Sequence, residues 1–392
     1  MRNDIYADHA ATTRTAPEVL DAMQPYFGVE FGNPSSVHRR GEAAHDAIAT
    51  ARARVARLIG AAPEEIVFTA TGSEANNLAL QGVLEAAPAE RNRLVTSTIE
   101  HPSVLETARA LEARGFPVTR VAVGSDGIVG ASRLEAALGP DVALVSVMLA
   151  NNESGVVQPV GEIARAVHSA GARLHTDAVQ AAGKMPLDVA TLGVDLLTLA
   201  GHKFHGPPGA AALFVRRRTR LASQVHGGHQ ERGRRAGTEN LPAVVGLGVA
   251  AERAAAQLQG GETQRWSAAG ERLLAGLERL GARLNGHRTR RLASIVNVSF
   301  EGVDGEAVLH ELDRAGITVS TGSACSAASA GPSHVLLAMG RSAEAAHASV
   351  RFSLGGQNQP EDVDEILSAL PPILARLRNL AEGPERPERA SA

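Results

Sequence analysis

The sequence predicts an α/β protein with a mostly parallel sheet in a large domain and a smaller α+β domain near the C-terminus. Two patterns lead to this fold class. Between about residues 60 and 215, short apolar runs alternate with amphipathic helical stretches, the order expected for a parallel sheet covered by helices. After about residue 258 the spacing changes, with two glycines, Gly260 and Gly261, at the break.

Each apolar run is interpreted as a strand because it is apolar throughout, as strands covered on both faces are. The predicted strands of the large domain are 66–69, 94–97, 142–148, 172–177, 194–199 and 210–215, with helices at 73–86, 103–114 and 160–170. The small domain is expected to contain helix 262–280, strand 293–300, helix 305–315, strand 349–354 and helix 361–380.

These elements predict where the domains divide. We expect a large domain over 15–257 and a small domain formed by 1–14 together with 258–381. The tail 382–392 is polar and contains proline, so we expect it to be disordered.

Composition argues against several classes of protein. The chain has 392 residues, 39 Lys and Arg against 42 Asp and Glu, and only 3% aromatic residues, which gives no electrostatic or stacking signature for nucleic acid. No apolar run approaches the roughly 20 residues that span a bilayer, and the first residues lack the apolar core of a signal peptide. We therefore expect a cytoplasmic protein that binds neither nucleic acid nor membrane.

The counts of lysine and cysteine indicate candidate nucleophiles. The chain has two lysines, Lys184 and Lys203, and arginine supplies every other basic side chain of that count. Arginine cannot be deprotonated in a protein and so cannot act as an amine nucleophile. The one cysteine, Cys325, permits no intrachain disulfide, which is typical of a reducing compartment.

A turn of small residues follows the first predicted strand, over 71–77. Gly72 and Ser73 open a helix there, and the free backbone N–H groups of a helix N-terminus form a phosphate site. The same residues also fit a plain helix N-cap made by Ser73 with an acidic residue in the first turn, and this motif alone favours that alternative.

Polar residues also follow two later strands. Asp177, at the carboxyl end of one strand, could hold a protonated heterocyclic nitrogen or could cap a helix. Lys203 lies in a loop bounded by glycines and prolines and could reach the same cleft, where a desolvated amine forms Schiff bases. The alternative is a surface lysine in a turn, and Lys184, followed by Met185 and Pro186, fits that alternative better.

Three further segments could take part in chemistry. Cys325 lies among small residues over 320–331, so we expect a mobile loop and a reactive thiol rather than a buried side chain. The glycine-rich, basic stretch 227–240 is either a solvated loop or a contact with an anion or a partner subunit. Arg351 lies inside an apolar strand, where it fits either an edge-strand charge or a clamp for a carboxylate.

Together these motifs resemble the cysteine desulfurases, pyridoxal-phosphate enzymes of the class V aminotransferase group with fold type I. The resemblance runs nearly end to end, and it depends on the order and spacing of the motifs rather than on any one of them. The motifs are 6–13 (YADHAATT), 32–38, 100–102, 151–155, 175–180, 201–203, 232–240, the Cys325 segment and 350–355.

The resemblance implies a role for each matching residue. It implies that Lys203 binds pyridoxal 5′-phosphate covalently and moves protons, that Asp177 pairs with the pyridinium nitrogen and that Gln180 bonds the phenolic oxygen. It implies that His101 stacks on the ring and assists proton transfer, and that Asn151 and Arg351 orient the substrate. The residues implied for the phosphate cup are Gly72, Ser73, His202 and, from the other subunit of a homodimer, Thr238.

The implied reaction converts L-cysteine to L-alanine and leaves the sulfur as a persulfide on Cys325. No resident metal is implied, although the persulfide would meet iron–sulfur clusters in transfer. The long stretch from Cys325 to His334 resembles the subgroup that passes sulfur to an iron–sulfur scaffold or a tRNA-thiolation protein. The alternatives are a selenocysteine lyase or cysteine-sulfinate desulfinase of the same family, or a catalytically silent sulfur-transfer or scaffold-binding protein.

The chain departs from the family pattern at three positions. Ala200 replaces a Ser or Thr that usually binds the cofactor phosphate, and His9 and Ala236 stand where Asn and Ser are more usual. These departures leave the catalytic groups in place, so the expected effect is on cofactor affinity rather than on the reaction.

Overall fold

The fold is known from a computed structural model that describes residues 4–321 and 331–382. The strands are β1 Ile5–Tyr6, β2 Ile66–Thr69, β3 Arg93–Ser97, β4 Val118–Val121, β5 Val142–Ser146, β6 Arg173–Asp177, β7 Leu196–Ala200, β8 Ala211–Val215, β9 Ala282–Leu284, β10 Ile295–Phe300, β11 Ile317–Thr318 and β12 Ser349–Ser353. The helices are α1 Pro17–Met23, α2 Arg39–Leu58, α3 Gly72–Ala86, α4 Pro102–Ala113, α5 Ala131–Ala137, α6 Val160–Ser169, α7 Val189–Leu192, α8 Leu241–Gln259, α9 Glu262–Arg279, α10 Gly305–Arg314, α11 His334–Ala338, α12 Ala343–His347 and α13 Pro360–Glu382.

A seven-stranded sheet forms the centre of the large core, in the order β2-β8-β7-β6-β5-β3-β4. The strands from β7 to β4 pair in parallel, and β8 runs antiparallel to both β7 and β2. This arrangement confirms the predicted mostly parallel sheet. It also brings the carboxyl ends of the parallel strands to one edge of the sheet, where open α/β sheets bind ligands.

The strands are apolar throughout because both faces of this sheet are covered. Helices α3 and α4 pack on one face, and α2, α6 and α8 contribute to the core on the other. Strands β2, β5, β7 and β8 are buried along their whole length. Every position of such a strand faces a hydrophobic layer, which explains why the sequence shows continuous apolar runs instead of alternation.

A buried ion pair closes the free edge of β2. Arg52 forms two hydrogen bonds to Glu231, of 2.7 and 2.8 Å, and donates to the carbonyl of Ile66 at 2.7 Å. Glu231 in turn accepts the N–H of Phe68 at 2.9 Å. The edge strand therefore has these main-chain groups satisfied by side chains, which blocks pairing with another strand at this point.

A second core lies between a smaller sheet and the C-terminal helices. The antiparallel sheet β12-β10-β9 and helices α9, α10 and α13 supply most of its side chains, and β1 joins it by pairing in parallel with β11. We propose that the chain divides into a large domain, 15–257, and a small domain, 1–14 with 258–381. The separation of this core from the core of the seven-stranded sheet supports it.

The predicted strands and helices are all present, with ends within two residues of the predicted ends. Helices α2 and α8, which pack against each other, have no counterpart in the sequence prediction. The predicted N-cap at Ser73 is wrong: Thr71 caps α3 by accepting the N–H of Glu74 at 3.0 Å. Glu382 ends α13, and the rest of the tail predicted to be disordered lies outside the described residues.

In the described part of the chain, none of the helices has the length and apolar character needed to cross a bilayer.

Candidate active site

The candidate site lies at the carboxyl ends of β6 and β7. Asp177 is the last residue of β6, Ala200 is the last residue of β7, and a single 3-10 turn, Gly201–Lys203, follows Ala200 directly. Because β6 and β7 are parallel neighbours, Asp177 and the turn with Lys203 emerge at the same edge of the sheet. The sequence predicts this arrangement, in which Lys203 can reach the same cleft as Asp177.

The amine of Lys203 is held against the N-terminal segment. Its Nζ donates to the carbonyl oxygens of Ala10 at 2.8 Å and Ala11 at 2.6 Å. The side-chain Nε2 of Gln180 donates to the same Ala10 oxygen at 2.8 Å. Lys203 and Gln180 are therefore neighbours through a shared acceptor, and the stretch 6–13 forms a wall of the site.

Asp177 is oriented by two donors. Asn76 Nδ2, on α3, donates to one carboxylate oxygen at 2.7 Å, and the backbone N–H of Val179 donates to the other at 2.9 Å. Asn76 also donates to Ser103 Oγ at 2.9 Å. Asn76 has no role predicted from the sequence. The one sequence signal for it is its position in the second turn of α3, the helix that begins at the small-residue turn 71–77.

His101 lies at the other end of this chain of hydrogen bonds. Its Nδ1 lies 2.8 Å from Ser103 Oγ and accepts the Ser103 N–H at 3.1 Å, which makes His101 the N-cap of α4. An imidazole that accepts at Nδ1 carries its proton on Nε2 when neutral. Burial lowers the pKa of His101, and the nearby Asp177 carboxylate only partly offsets that shift, so the neutral ring is favoured.

The start of α3 forms a close-packed turn beside the end of β7. A Cβ placed on Gly72 would meet Val179 Cγ2 at 3.2 Å and Ala200 Cβ at 3.4 Å. The turn is therefore closely packed at Gly72, and its N–H groups form the positive end of a 15-residue helix. Ala200 is 2% exposed and presents a methyl group to this turn.

His202 and Thr12 link the Lys203 turn to the N-terminal segment. His202 Nδ1 lies 3.0 Å from Thr12 Oγ1, and the His202 carbonyl accepts the Thr13 N–H at 2.8 Å. Burial and the nearby lysine amines lower the pKa of His202 to about 4. The ring is therefore neutral at pH 7 and would contact an anion as a hydrogen-bond partner rather than as a charge.

Lys184 is not the surface lysine that the sequence predicted. Its Nζ donates to the main-chain oxygen of Gln180 at 3.1 Å and to the Gln180 side-chain Oε1 at 3.2 Å. Burial lowers the pKa of Lys184 to about 7, with contributions from the cations of Lys203 and Arg351. The sequence prediction failed because Met185 and Pro186 suggested an exposed turn, whereas the amine turns inward toward Gln180.

Arg351 lies in the middle of β12 and is 1% exposed. Its guanidinium forms an ion pair with Asp8 at 2.7 Å and donates to the Asn152 carbonyl at 2.8 Å. Among the described residues its Nε has no partner. The arginine therefore faces the N-terminal segment and the 151–155 turn, and a carboxylate could take the place of Asp8 on it.

Asn151 is completely buried and holds the turn that follows β5. Its Oδ1 accepts the N–H groups of Glu153 at 2.9 Å and Ser154 at 2.8 Å, while its Nδ2 donates to the Ile99 carbonyl at 3.0 Å. These bonds use its polar atoms within the protein. Its role in orienting a substrate stays a prediction.

Cys325 lies outside the described residues, and the positions that flank it can be placed. Ser320 exchanges two main-chain hydrogen bonds with Arg351, of 3.1 and 2.7 Å. On the other side, Ser333 donates to the buried carboxyl of Glu153, and burial raises the pKa of Glu153 to about 7. Both flanks are thus attached next to Arg351.

The loop 227–240 contacts the start of α3 through one ion pair. Arg235 Nε lies 2.8 Å from Glu74 Oε1, and Glu74 accepts the Ala70 N–H at 2.9 Å. Thr238 is exposed. In the described part of this single chain, Thr238 forms no hydrogen bond to Gly72 or Ser73, so its role toward a phosphate in the other subunit stays a prediction.

The donors at this site fit pyridoxal 5′-phosphate. The N-terminus of α3 and the neutral His202 suit a phosphate, an oriented carboxylate at Asp177 suits a pyridinium nitrogen, and Lys203 supplies an amine. The close packing at Gly72, where a Cβ would press on Val179 at 3.2 Å, suits a glycine in a turn whose main chain binds a phosphate. This arrangement is typical of a pyridoxal-phosphate enzyme of fold type I.

Comparison with known proteins agrees with this class. The family model for aminotransferase class-V matches residues 5–366. Cysteine desulfurase 2 of Trichormus variabilis is 45% identical over 379 residues, covering 96% of this chain and 94% of that protein. Cysteine desulfurase IscS of Methanosarcina thermophila is also 45% identical over 379 residues, covering 96% and 93%. A solved structure described as a NifS-like protein superposes with a TM-score of 0.89 at 36% identity, covering 95% of this chain and 99% of that chain.

The chain belongs to the class V aminotransferase family of pyridoxal-phosphate enzymes. Within it, the chain groups with the cysteine desulfurases.

Proposed function

We propose that this protein removes sulfur from L-cysteine, releases L-alanine and holds the sulfur as a persulfide on Cys325. The observation that carries the proposal is the meeting of Lys203, Gln180 and Asp177 at the carboxyl ends of β6 and β7. These three groups match the amine, phenolic and ring-nitrogen contacts that pyridoxal phosphate requires.

When bound, pyridoxal phosphate supplies an electron sink for the electron pair left when the substrate Cα loses its proton. Asp177 keeps the ring nitrogen protonated, and Asn76 and the Val179 N–H fix the direction of its carboxylate. Gln180 donates from Nε2 toward the phenolic oxygen. Gly72, Ser73 and His202 would bind the phosphate, and Thr238 of the partner subunit would complete the cup.

Lys203 and His101 move the protons. Lys203 would accept the proton from the substrate Cα and return a proton as alanine forms. His101, held by Ser103 with its proton on Nε2, would lie beside the cofactor ring and assist this proton transfer. Burial lowers the pKa of His101, so the neutral ring, with its proton on Nε2, is the form that would take part in proton transfer.

Arg351 binds the substrate carboxylate. In this structure Asp8 forms one hydrogen bond to the Arg351 guanidinium, and a substrate carboxylate would take the place of Asp8 there. Because Arg351 is buried, its interaction with a carboxylate is screened little by water. Asn151 contributes to substrate orientation by fixing the turn whose Asn152 carbonyl binds Arg351.

Cys325 takes the sulfur as a thiolate. The thiolate attacks the substrate sulfur, a sulfur–sulfur bond forms, and the bond between that sulfur and Cβ breaks; the electron pair and a proton stay with the carbon product. Cys325 lies five positions after Ser320, and five extended residues span at most about 18 Å. Since Ser320 pairs with Arg351, the thiol has the reach to meet a substrate bound there.

The partners belong to the same proposal. Exposed apolar side chains cluster over 27–37, including Phe27 at 72% and Val37 at 95% exposed, and this surface supports a homodimer. The sulfur acceptor is an iron–sulfur scaffold or a tRNA-thiolation protein. A cytoplasmic location suits a thiol that must stay reduced.

Borohydride trapping tests the cofactor assignment. Reduction of the yellow holoenzyme should fix pyridoxyl phosphate on Lys203, identified by peptide mass spectrometry. Lys203→Ala should lose the visible absorbance of bound cofactor and all alanine formation. Label on Lys184 instead of Lys203 would overturn the site.

A further inference from the structure

We propose that Lys184 is a positioning residue that orients the Gln180 amide so that its nitrogen, and not its oxygen, faces the cofactor ring. The inference rests on the proposed function, in which Gln180 bonds the phenolic oxygen of pyridoxal phosphate. It assigns a role to the second of the chain's two lysines, a residue that none of the proposed catalytic steps uses.

The hydrogen bonds around Gln180 define the orientation of its amide. Lys184 Nζ lies 3.2 Å from Gln180 Oε1, and Gln180 Nε2 lies 2.8 Å from the Ala10 oxygen. A carbonyl can only accept, and the Lys184 amine in its ammonium form can only donate. The two partners, Lys184 and Ala10, therefore select the same orientation, with oxygen toward Lys184 and nitrogen toward Ala10.

Lys184 matters for the orientation of the Gln180 amide because the other contact of that amide, at Ala10, is shared with Lys203. Ala10 accepts from Lys203 as well as from Gln180, so binding of the Lys203 amine to a cofactor rearranges that side of the network. The Lys184 contact lies on the far side of the Gln180 amide and does not involve the reacting amine. A second bond from Lys184 to the Gln180 main-chain oxygen, at 3.1 Å, ties the lysine to the backbone at the same residue.

The phenolic oxygen is an acceptor when ionised, so only the amide nitrogen of Gln180 can stabilise it. Gln180 is 4% exposed. Without Lys184 its Oε1 would lose a buried partner, and a reversed amide would present that oxygen to the phenolate. Ligands that carry the phenolic oxygen would therefore bind more weakly, whereas the affinity of ligands that lack this oxygen would not change.

The test compares two ligands on apo-protein by equilibrium dialysis: pyridoxal 5′-phosphate and its 3-deoxy analogue, which lacks the phenolic oxygen. The variant Lys184→Met has a side chain of similar length without a donor, with Lys184→Leu as a second apolar replacement should the first not fold. We expect Lys184→Met to weaken pyridoxal phosphate about tenfold, the loss of roughly one hydrogen bond to a charged acceptor, and to change the analogue less than about twofold. Lys184→Arg, which keeps the donor, should stay close to wild type for both ligands.

Equal weakening of both ligands, or of neither, would overturn the role of Lys184. Gln180→Ala separates this failure from failure of the proposed function. If Gln180→Ala distinguishes the two ligands and Lys184→Met does not, only the Lys184 inference is wrong. If Gln180→Ala treats both ligands alike, Gln180 does not bind the phenolic oxygen, and the site assignment fails with it.

Discussion

Ala200 contributes no hydroxyl to the candidate phosphate cup at a position where the family usually has Ser or Thr. Its methyl group would contact a Cβ on Gly72 at 3.4 Å, so a hydroxyl at this position would point at the turn that begins α3. One hydrogen bond to a charged acceptor contributes about 1.5–3 kcal/mol, and a water that already fills the space would reduce the gain to the low end of that range. We therefore expect residue 200 to affect how tightly the phosphate is held.

Ala200→Ser should bind pyridoxal phosphate about tenfold more tightly, because about 1.4 kcal/mol corresponds to one decade. Turnover at saturating cofactor should hardly change, since the phosphate takes no part in bond breaking. Equilibrium dialysis of the two apo-proteins measures the affinity. Equal or weaker binding by the serine variant would show that position 200 does not face the phosphate.

The two lysines mark the limit of reasoning from single residues. The position of Lys203 at the end of a strand could be predicted from local sequence. The preceding apolar run and the flanking glycines and prolines indicate it, and no distant contact is needed. Lys184 was missed because its partner, the side chain of Gln180, is four residues away on a turn whose path depends on the Lys203 and Ala10 side of the site. Asn76 was missed because its partner, Asp177, is 101 positions away in the sequence.

At the scale of elements, a buried carboxyl joins the ends of two strands. Glu100 follows β3, and both of its oxygens accept the N–H of Met148, which follows β5, at 3.1 and 3.0 Å. The Ser97 hydroxyl donates to the same carboxyl. Burial raises the pKa of Glu100 to about 8, so at pH 7 the folded protein holds this group protonated beside His101.

The Glu100 carboxyl predicts a pH dependence of stability. Its folded pKa lies above the unfolded value, so the folded state binds the extra proton; the stabilisation is complete below about pH 4.5 and is lost as pH rises through about 8. Glu100→Gln mimics the protonated acid and does not titrate. Denaturant unfolding at several pH values should show wild type losing on the order of a few kcal/mol more than Glu100→Gln between pH 5 and 9. Parallel curves would contradict the raised pKa of Glu100.

The elements themselves were largely predictable, with instructive exceptions. Strands such as β5 and β7 are short, apolar and followed by turn residues, so local pattern alone indicates them. The long helices α2 and α8 were not assigned, since their apolar positions are dominated by alanine and glycine, which blur the helical period. The strand β1 has two residues and exists through its pairing with β11, more than 300 positions away, which no local pattern contains.

At the scale of the whole molecule, the proposed cofactor site requires two copies of the chain. Thr238 is exposed on a loop that Arg235 attaches to Glu74, and the apolar surface over 27–37 is uncovered in the single chain. A symmetric dimer would bury that surface and give each cofactor phosphate a residue from its partner. Each site would then depend on both chains.

Complementation between two defective variants tests this dependence. Lys203→Ala and Thr238→Trp should each have low activity alone, because each lacks one part of every site. In a mixed dimer, the chain that keeps Lys203 meets an intact Thr238, so one site of two is restored. After complete subunit exchange at equal amounts, about a quarter of the sites should be active. No recovery in a verified mixed dimer, or a fully active monomer in sedimentation, would contradict a shared site.

The central claim is that the sulfur atom of L-cysteine is transferred to Cys325 while L-alanine forms. The most direct measurement is a single turnover without reductant, in which alanine is quantified by chromatography and Cys325 by mass spectrometry of the intact protein and of its peptides. The account predicts one alanine for each Cys325 that gains one sulfur atom, and neither product from Cys325→Ser, although that variant still binds cofactor and substrate. Alanine released by Cys325→Ser at the wild-type rate together with free sulfide, or sulfur found nowhere on Cys325, would contradict it.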